Sequence, residues 1–274
     1  MTIFSADTYI CDSEKLIASS KKTAQVDNKV IYLPGTDCVV RPKVSLAGYT
    51  SYRVGGPAEW YVAPRDITAL EASIRYAYEQ SLPVTVLGAG SNLLVSDCGI
   101  PGLVIGTRHL RHSHFEEETG LVTVAAGEAI PGLAWQAAEH GFEGFEWAVG
   151  IPGTVVMNAG AHNGCIADIF VSAEVLCEDG TLRTFTSEDL GYTYRTSKLQ
   201  GGKNIVTQAT FQLQPGADPA VVTATTKHHK EHRLNTQPYD KPSCGSVFRN
   251  PKPYSAGWLI EQSGLKGYQI GKAQ

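Results

Sequence analysis

The sequence has no basic surplus, no long apolar run and no paired-cysteine motif. Its 23 Lys and Arg are outnumbered by 27 Asp and Glu, for a formal charge of −4. That balance gives no reason to expect nucleic acid, whose phosphates are met by basic surface. No stretch approaches the roughly 20 apolar residues of a membrane-spanning helix. The first residues also lack the basic-then-apolar order of a secretion leader. The six cysteines, Cys11, Cys38, Cys98, Cys165, Cys177 and Cys244, contain no Cys-x-x-Cys pair. They read neither as a disulfide framework nor as a zinc site, and they fit a reducing compartment. The expectation is a soluble cytoplasmic protein without nucleic acid, membrane or metal.

What the chain has instead is glycine, 28 in 274 residues, with 42% hydrophobic residues to build a core. That length suits one large or two medium domains. The stretch with most chemical promise runs from Pro83 to Asp97. Val84, Val86 and Leu87 predict a buried strand, which Gly88 and Gly90 break before Ser91 and Asn92. Glycine permits positive φ and close backbone approach, and successive N–H groups in such a turn suit a phosphate or pyrophosphate. The Rossmann fingerprint wants a third glycine where Leu93 stands, and a P-loop wants a lysine that this turn lacks. On its letters alone the turn reads as well as a plain loop. Its company is a second glycine-rich stretch, Gly150-Ile151-Pro152-Gly153-Thr154, followed by Asn158-Ala159-Gly160-Ala161. Two such loops suggest one elongated ligand gripped at two places.

In chain order, residues 1–43 are polar and weakly patterned and predict a loose extension, with the fold beginning near Val44. Thr50 to Ala58 predicts a strand entering a tight turn, resumed from Glu59 to Val62. Arg53 in that turn either faces an anionic ligand or sits on an exposed corner. Asp66 to Gln80 predicts a helix capped by Asp66, with Ile67, Leu70, Ile74 and Ala77 on one face. A second helix is expected over Pro131 to His140, closed by Gly141. Phe170–Glu178 and Thr181–Phe185 predict a hairpin about Asp179-Gly180. Asn204 to Gln214 reads as a strand, and Asp218-Pro219 opens a helix to about Arg233. His109, His112 and His114 read as a solvated connection; His228 and His232 read as cations complementing a helix C-terminus rather than as metal ligands. Pro215-Gly216 marks the expected boundary between residues 44–214 and 215–274.

Several motifs occur in one order: Tyr52-Arg53-Val54-Gly55-Gly56-Pro57-Ala58, Leu87-Gly88-Ala89-Gly90-Ser91-Asn92, and the Gly150 to Ala161 stretch. Tyr194-Arg195-Thr196-Ser197, Gly245-Ser246-Val247-Phe248-Arg249-Asn250-Pro251 and Ala256-Gly257-Trp258-Leu259-Ile260 with Gly264-Leu265-Lys266-Gly267 complete the series. From about Val44 to the last residue the chain resembles the UDP-N-acetylenolpyruvoylglucosamine reductases, in their shorter form without a substrate-domain insertion. The resemblance implies an α+β fold: an FAD-binding region of the vanillyl-alcohol-oxidase (PCMH) type in two subdomains, then an incomplete substrate domain. It implies FAD as cofactor, NADPH as co-substrate and a UDP-sugar as substrate. The enolpyruvyl ether of that sugar is reduced to the lactyl ether of UDP-N-acetylmuramate, for peptidoglycan synthesis in the cytoplasm. A monomer is expected.

Residue by residue, the resemblance assigns Tyr52, Arg53, Gly88, Ala89, Gly90, Ser91 and Asn92 to the cofactor, with Ile151, Gly153, Thr154, Asn158, Gly160 and Ala161. Gln237, Asn250 and Gln262 would line the substrate pocket. Hydride addition to the vinyl terminus leaves charge on the carbon beside the carboxylate. A cation or donor near that enolate lowers the barrier, and an acid must then protonate the carbon. By its place in the motif Ser246 matches the proton donor, and Arg195 the residue that steadies carboxylate and enolate. Apart from the resemblance, Gly245-Ser246 reads as an ordinary turn and Arg195 equally as a surface ion-pair residue. A nucleophile elbow is excluded, since Phe248 stands where its last glycine belongs.

Two departures from the family pattern fall on functional parts. The family continues past Gln274 and carries there a glutamate that acts with the arginine, and it usually inserts Gly-Gly-Ala between Thr154 and Val156. Weak catalysis by the chain as it stands is therefore expected. Two other readings stay open: a truncated, inactive FAD-binding relative, and a flavin oxidase of the same fold, which would not need a proton donor such as Ser246.

Overall fold

The computed structural model describes residues 29–155, 159–194, 196–245 and 247–274. Two five-stranded sheets carry the fold. The first contains β1 (Ile31–Tyr32), β2 (Val39–Ser45), β3 (Pro57–Val62), β4 (Val84–Leu87) and β5 (Ile100–Gly106), in the order β1-β2-β3-β5-β4. β1, β2 and β3 are antiparallel neighbours, whereas β3 and β4 both run parallel to β5. Parallel strands need a crossover, and between β3 and β4 the Ile67–Glu79 helix supplies it. The Asp66 carboxylate caps that helix by accepting from the Ala69 N–H at 2.8 Å, as the sequence predicts. Leu70 and Ala77 are buried, and they join Val62, Leu103 and Ile105 in the core beneath the sheet.

Three expectations are corrected in this half. Val84 and Val86 are 40% and 42% exposed, and of the strand only Leu87 is buried. β4 lies at the sheet edge, and a strand's side chains alternate between faces, so an apolar run need not be buried on both. Pairing also begins earlier than Val44, since β1 and β2 add to the sheet and Leu33, Cys38 and Val40 are buried. A two-residue strand carries too little pattern to be seen in sequence. Finally, Thr50 to Val54 is no strand. The short Ala47–Tyr49 helical turn leads into a bend in which Arg53 takes φ +56°. The remainder of the expected extension, residues 1–28, lies outside the described residues.

The second sheet is antiparallel throughout. It contains β6 (Ser113–Glu116) and β7 (Leu121–Ala125), and, beyond the small hairpin of β8 (Gly160–Ala161) and β9 (Gly164–Cys165), β10 (Phe170–Leu176), β11 (Leu182–Thr186) and β12 (Ile205–Gln212). The order is β11-β10-β12-β7-β6. The Ile130–Glu139 helix covers this sheet, with Pro131 in its first turn and Gly141 at φ +69° beyond its end. Phe145, Phe211 and Phe170 form an aromatic chain through the core, with centroids 6.0 and 6.4 Å apart. Leu176 and Ile205 reach into the core of the first sheet and so join the two halves.

The Pro219–Thr236 helix packs against the Ile130–Glu139 helix and buries Val222 and Thr226. Beyond it the Ala256–Gln262 helix buries no residue, and Trp258, Leu265, Tyr268 and Ile270 are exposed. Among the described residues no helix is long and apolar enough to cross a membrane, and no side-chain group could hold a metal ion. Cys38, Cys165, Cys177 and Cys244 are free thiols, while Cys98 is disulfide-bonded, which its spacing did not signal.

Candidate functional site

The first glycine turn leaves the C-terminal end of β4, the end of a parallel strand where ligands are usually met. Gly90 has φ +64°, and a Cβ placed on it would lie 2.0 Å from the Tyr49 carbonyl oxygen. The backing segment is stitched on by Ser51 N–H, which donates to Gly90 O at 3.1 Å. Arg108 fixes that segment in turn, reaching Tyr49 O at 3.4 Å and stacking over the Tyr49 ring. Tyr52 is half-buried beside it, and burial raises its phenol pKa. Arg53 is exposed. Thus a close backbone approach, not side-chain packing, dictates glycine at position 90.

The second glycine loop meets the first directly. Ser91 Oγ donates to Pro152 O at 2.9 Å. A Cβ on Gly88 would lie 2.6 Å from Thr154 Oγ1, and one on Gly153 would lie 3.3 Å from Ser91 Oγ. Gly153 O accepts from Ile130 N–H at 3.0 Å, which ties the loop to the start of the covering helix. The loops therefore form one continuous wall rather than the two jaws of a gap, and a shared ligand would lie along them. Asn158 falls outside the described residues.

Polar groups on this wall suit an anionic cofactor. The turn's carbonyl at Gly90 is engaged, whereas among the described residues nothing accepts from the N–H groups of Ala89, Gly90, Ser91 or Asn92. Ser51 Oγ is buried with at most the weakly hydrogen-bonding Cys244 thiol for a partner. A buried hydroxyl left unpaired costs about 1–3 kcal/mol, so such groups usually have a ligand or water to meet. The residues present fit the diphosphate of FAD.

A cleft of about 500 Å³ is lined by the β8–β9 hairpin with Ala167, Tyr192, Thr193, Tyr194 and Asn250. Gly160 and Ala161, assigned to the cofactor, and Asn250, assigned to the substrate, therefore share one cavity. Asn250 Oδ1 is already used, accepting from Ala256 N–H at 3.0 Å at the start of the last helix. Burial pushes the Tyr192 phenol up to about 12, so it stays a neutral donor at the cleft wall. Gln237 and Gln262 do not line the cleft. Gln237 ends the Pro219–Thr236 helix, and Gln262 ends the exposed Ala256–Gln262 helix.

Arg195 and Ser246 lie outside the described residues, but their neighbours are placed. The Cys244 thiol is buried and donates to Leu93 O at 3.7 Å, which sets the Gly245 stretch against the first glycine turn. Arg249 Nη2 donates to Thr196 Oγ1 at 3.2 Å, so the segments that carry Arg195 and Ser246 are joined. Tyr192, His162 and Cys165 of the cleft were not singled out from sequence; only their nearness to the glycine motifs pointed to them.

His162, on the hairpin at φ +48°, packs between His229 and His232 with ring centroids 4.4 and 5.2 Å away. Burial lowers the pKa of His162, with His229, His232, Arg233 and His228 adding to it. His229 is lowered as well, first by burial and then by His228 and His232, against an opposing pull from Glu146. Both imidazoles thus prefer to be neutral in the folded state. The unfolded chain binds more protons below the ordinary value of 6.5, so stability falls as pH drops through that region and is retained above it. Hydrogen exchange of the 160–165 hairpin is expected to be faster at pH 5 than at pH 7.5, and His162→Phe should flatten the difference. Equal exchange at both pH values would refute this.

A family model for an FAD binding domain matches residues 58–186, and one for the UDP-N-acetylenolpyruvoylglucosamine reductase C-terminal domain matches 237–274. The chain is 67% identical over 279 aligned positions to the UDP-N-acetylenolpyruvoylglucosamine reductase of Nostoc punctiforme, covering 100% of this chain and 84% of the relative. The Synechocystis enzyme of the same name is 52% identical over 94% of this chain and 84% of its own length. Among solved structures, the UDP-N-acetylenolpyruvylglucosamine reductase of Thermus caldophilus superposes with a TM-score of 0.71 at 34% identity, over 84% of this chain and 82% of that one. With an α+β fold that contains an FAD binding domain, the chain belongs to the UDP-N-acetylenolpyruvoylglucosamine reductase family of FAD-dependent oxidoreductases.

Proposed function

We propose that the protein reduces the enolpyruvyl ether of UDP-N-acetylglucosamine enolpyruvate to UDP-N-acetylmuramate, consuming NADPH and a proton. One observation carries this reading: Cys244–Leu93 and Arg249–Thr196 bring the segments flanking Ser246 and Arg195 to the glycine wall. FAD, when bound, would supply the hydride-transfer chemistry that links NADPH to the double bond. The turn of Ala89 to Asn92 and the loop of Ile151 to Thr154 hold its diphosphate, assisted by Ser51, Tyr52 and Arg53. Gly160 and Ala161, which line the cleft, would also contact the cofactor, and Asn158 is assigned to it as well.

The rest is done by side chains of this chain. The Arg195 guanidinium steadies the substrate carboxylate and the negative charge that develops on it, which is worth most in a water-poor site. The Ser246 hydroxyl gives its proton to the carbon beside that carboxylate. Asn250 presents its amide N–H groups to the cleft, with Gln237 and Gln262 reaching the UDP-sugar from the C-terminal segment. The reaction belongs in the cytoplasm, where UDP-sugars and NADPH are made, and supplies a peptidoglycan precursor; the protein works as a monomer.

Purified protein is expected to be yellow, with a flavin spectrum. NADPH consumption should be accelerated by the enolpyruvyl sugar and match product formation one to one. Flavin-loaded protein that oxidises NADPH at a rate indifferent to the sugar would overturn the proposal.

A further inference from the structure

Among the contacts around the second glycine loop, one chain of hydrogen bonds comes from a residue that no motif includes. The Tyr239 hydroxyl donates to Gly150 O at 2.6 Å and accepts from Arg233 Nε at 2.8 Å. The Arg233 stem lies across the Gly150 α-carbon, so that a Cβ there would meet Arg233 Cδ at 2.1 Å. The other side of the same peptide unit is also held, because Ile151 N–H donates to Ala148 O at 2.9 Å. Downstream, Pro152 has no N–H, and the Pro152 and Gly153 carbonyls are taken by Ser91 and Ile130. Each fixed point of the loop therefore comes from a different part of the chain.

Tyr239 is itself placed by a local turn. Gln237 N–H donates to Arg233 O at 3.0 Å, and Tyr239 N–H donates to Gln237 O at 2.9 Å. The charged Arg233 makes the phenol a stronger donor, since hydrogen bonds chained to an ionised group are shorter and stronger than neutral ones. We infer that Tyr239, oriented by Arg233, is a positioning residue that locks the Gly150–Ile151 peptide and registers the Gln237 segment on the cofactor loop. This rests on the reading of that loop as the FAD wall. Tyr239 is 47% exposed and adds little to the core, so its contribution is to loop geometry rather than to folding.

Tyr239→Phe removes only the hydroxyl. Loss of this hydrogen bond is expected to change the local opening equilibrium of the loop by about ten-fold. Two readings of the same variant are needed. In the protein without FAD, the Ile151 amide is expected to exchange at least about five-fold faster than in the parent, with amides of β7 and β12 unchanged. In reconstitution titrations, FAD is expected to dissociate about ten-fold more readily, with the melting temperature of the FAD-free protein unaltered. A double variant with Arg233→Lys should add little to either effect, because both residues act through one chain. Unchanged Ile151 exchange would overturn the inference, as would equal acceleration across β7 and β12. If the parent binds no FAD, the assignment of the wall fails, while the exchange measurement still decides the role of Tyr239.

Discussion

Gly90→Val is expected to yield a protein that retains no flavin after gel filtration. Position 90 holds φ +64°, a conformation that costs an ordinary L-residue about 1–2 kcal/mol and a β-branched one more. The larger effect is steric, because a Cβ would sit 2.0 Å from Tyr49 O and 3.0 Å from the Thr50 α-carbon, both backbone atoms that cannot swing away. The turn must open or the Tyr49–Ser51 segment must retreat, and either movement scatters the N–H groups that the proposed site offers to the diphosphate. The ratio of flavin to protein absorbance measures the outcome. Gly216→Val is the control, since Gly216 also has positive φ, +87°, but a Cβ there meets nothing within 4 Å. Stoichiometric flavin in Gly90→Val, with a normal melting temperature, would show that the cofactor lies elsewhere.

Ser246→Ala is expected to separate the two halves of the turnover. Reduction of bound FAD by NADPH should proceed near the parent rate, because no proton has to reach carbon in that step. Reoxidation by the enolpyruvyl sugar should slow by about a hundred- to ten-thousand-fold, the usual contribution of a positioned acid. Stopped-flow absorbance at the flavin band times each half separately. Equal slowing of both halves would mean that Ser246 supports the site without donating the proton. Gly245, which precedes it, has φ +68°.

Much of the fold was legible because its signals are local. Asp66 ahead of an apolar face, Pro131 and Gly141 bracketing a helix, and Asp179-Gly180 between two apolar runs each specify their element within a few residues. The errors arose where context decides. Val84 and Val86 have the composition of a buried strand but lie on the edge strand, and β1 is too short to leave a pattern. At the site, glycines could be read because backbone proximity excludes every other residue. Tyr192, His162 and Tyr239 could not, because what qualifies them is a neighbour distant in sequence: the cleft, the Pro219–Thr236 helix and Gly150 respectively.

Those distant neighbours also set the order in which the protein can be completed. Ser91 meets Pro152 across 61 positions, Gly150 meets Tyr239 across 89, and Leu93 meets Cys244 across 151. Contacts of such separation form late, since the intervening chain must first be closed into a loop. During synthesis the first sheet can assemble while the cofactor wall still lacks its second loop, and the wall stays unclamped until residues near 240 have emerged. With the proposed cofactor wall, FAD capture is expected to be a closing event of biogenesis rather than a nucleus for it. Cells short of riboflavin should accumulate a chain whose sheets are already paired, poised to load cofactor without refolding.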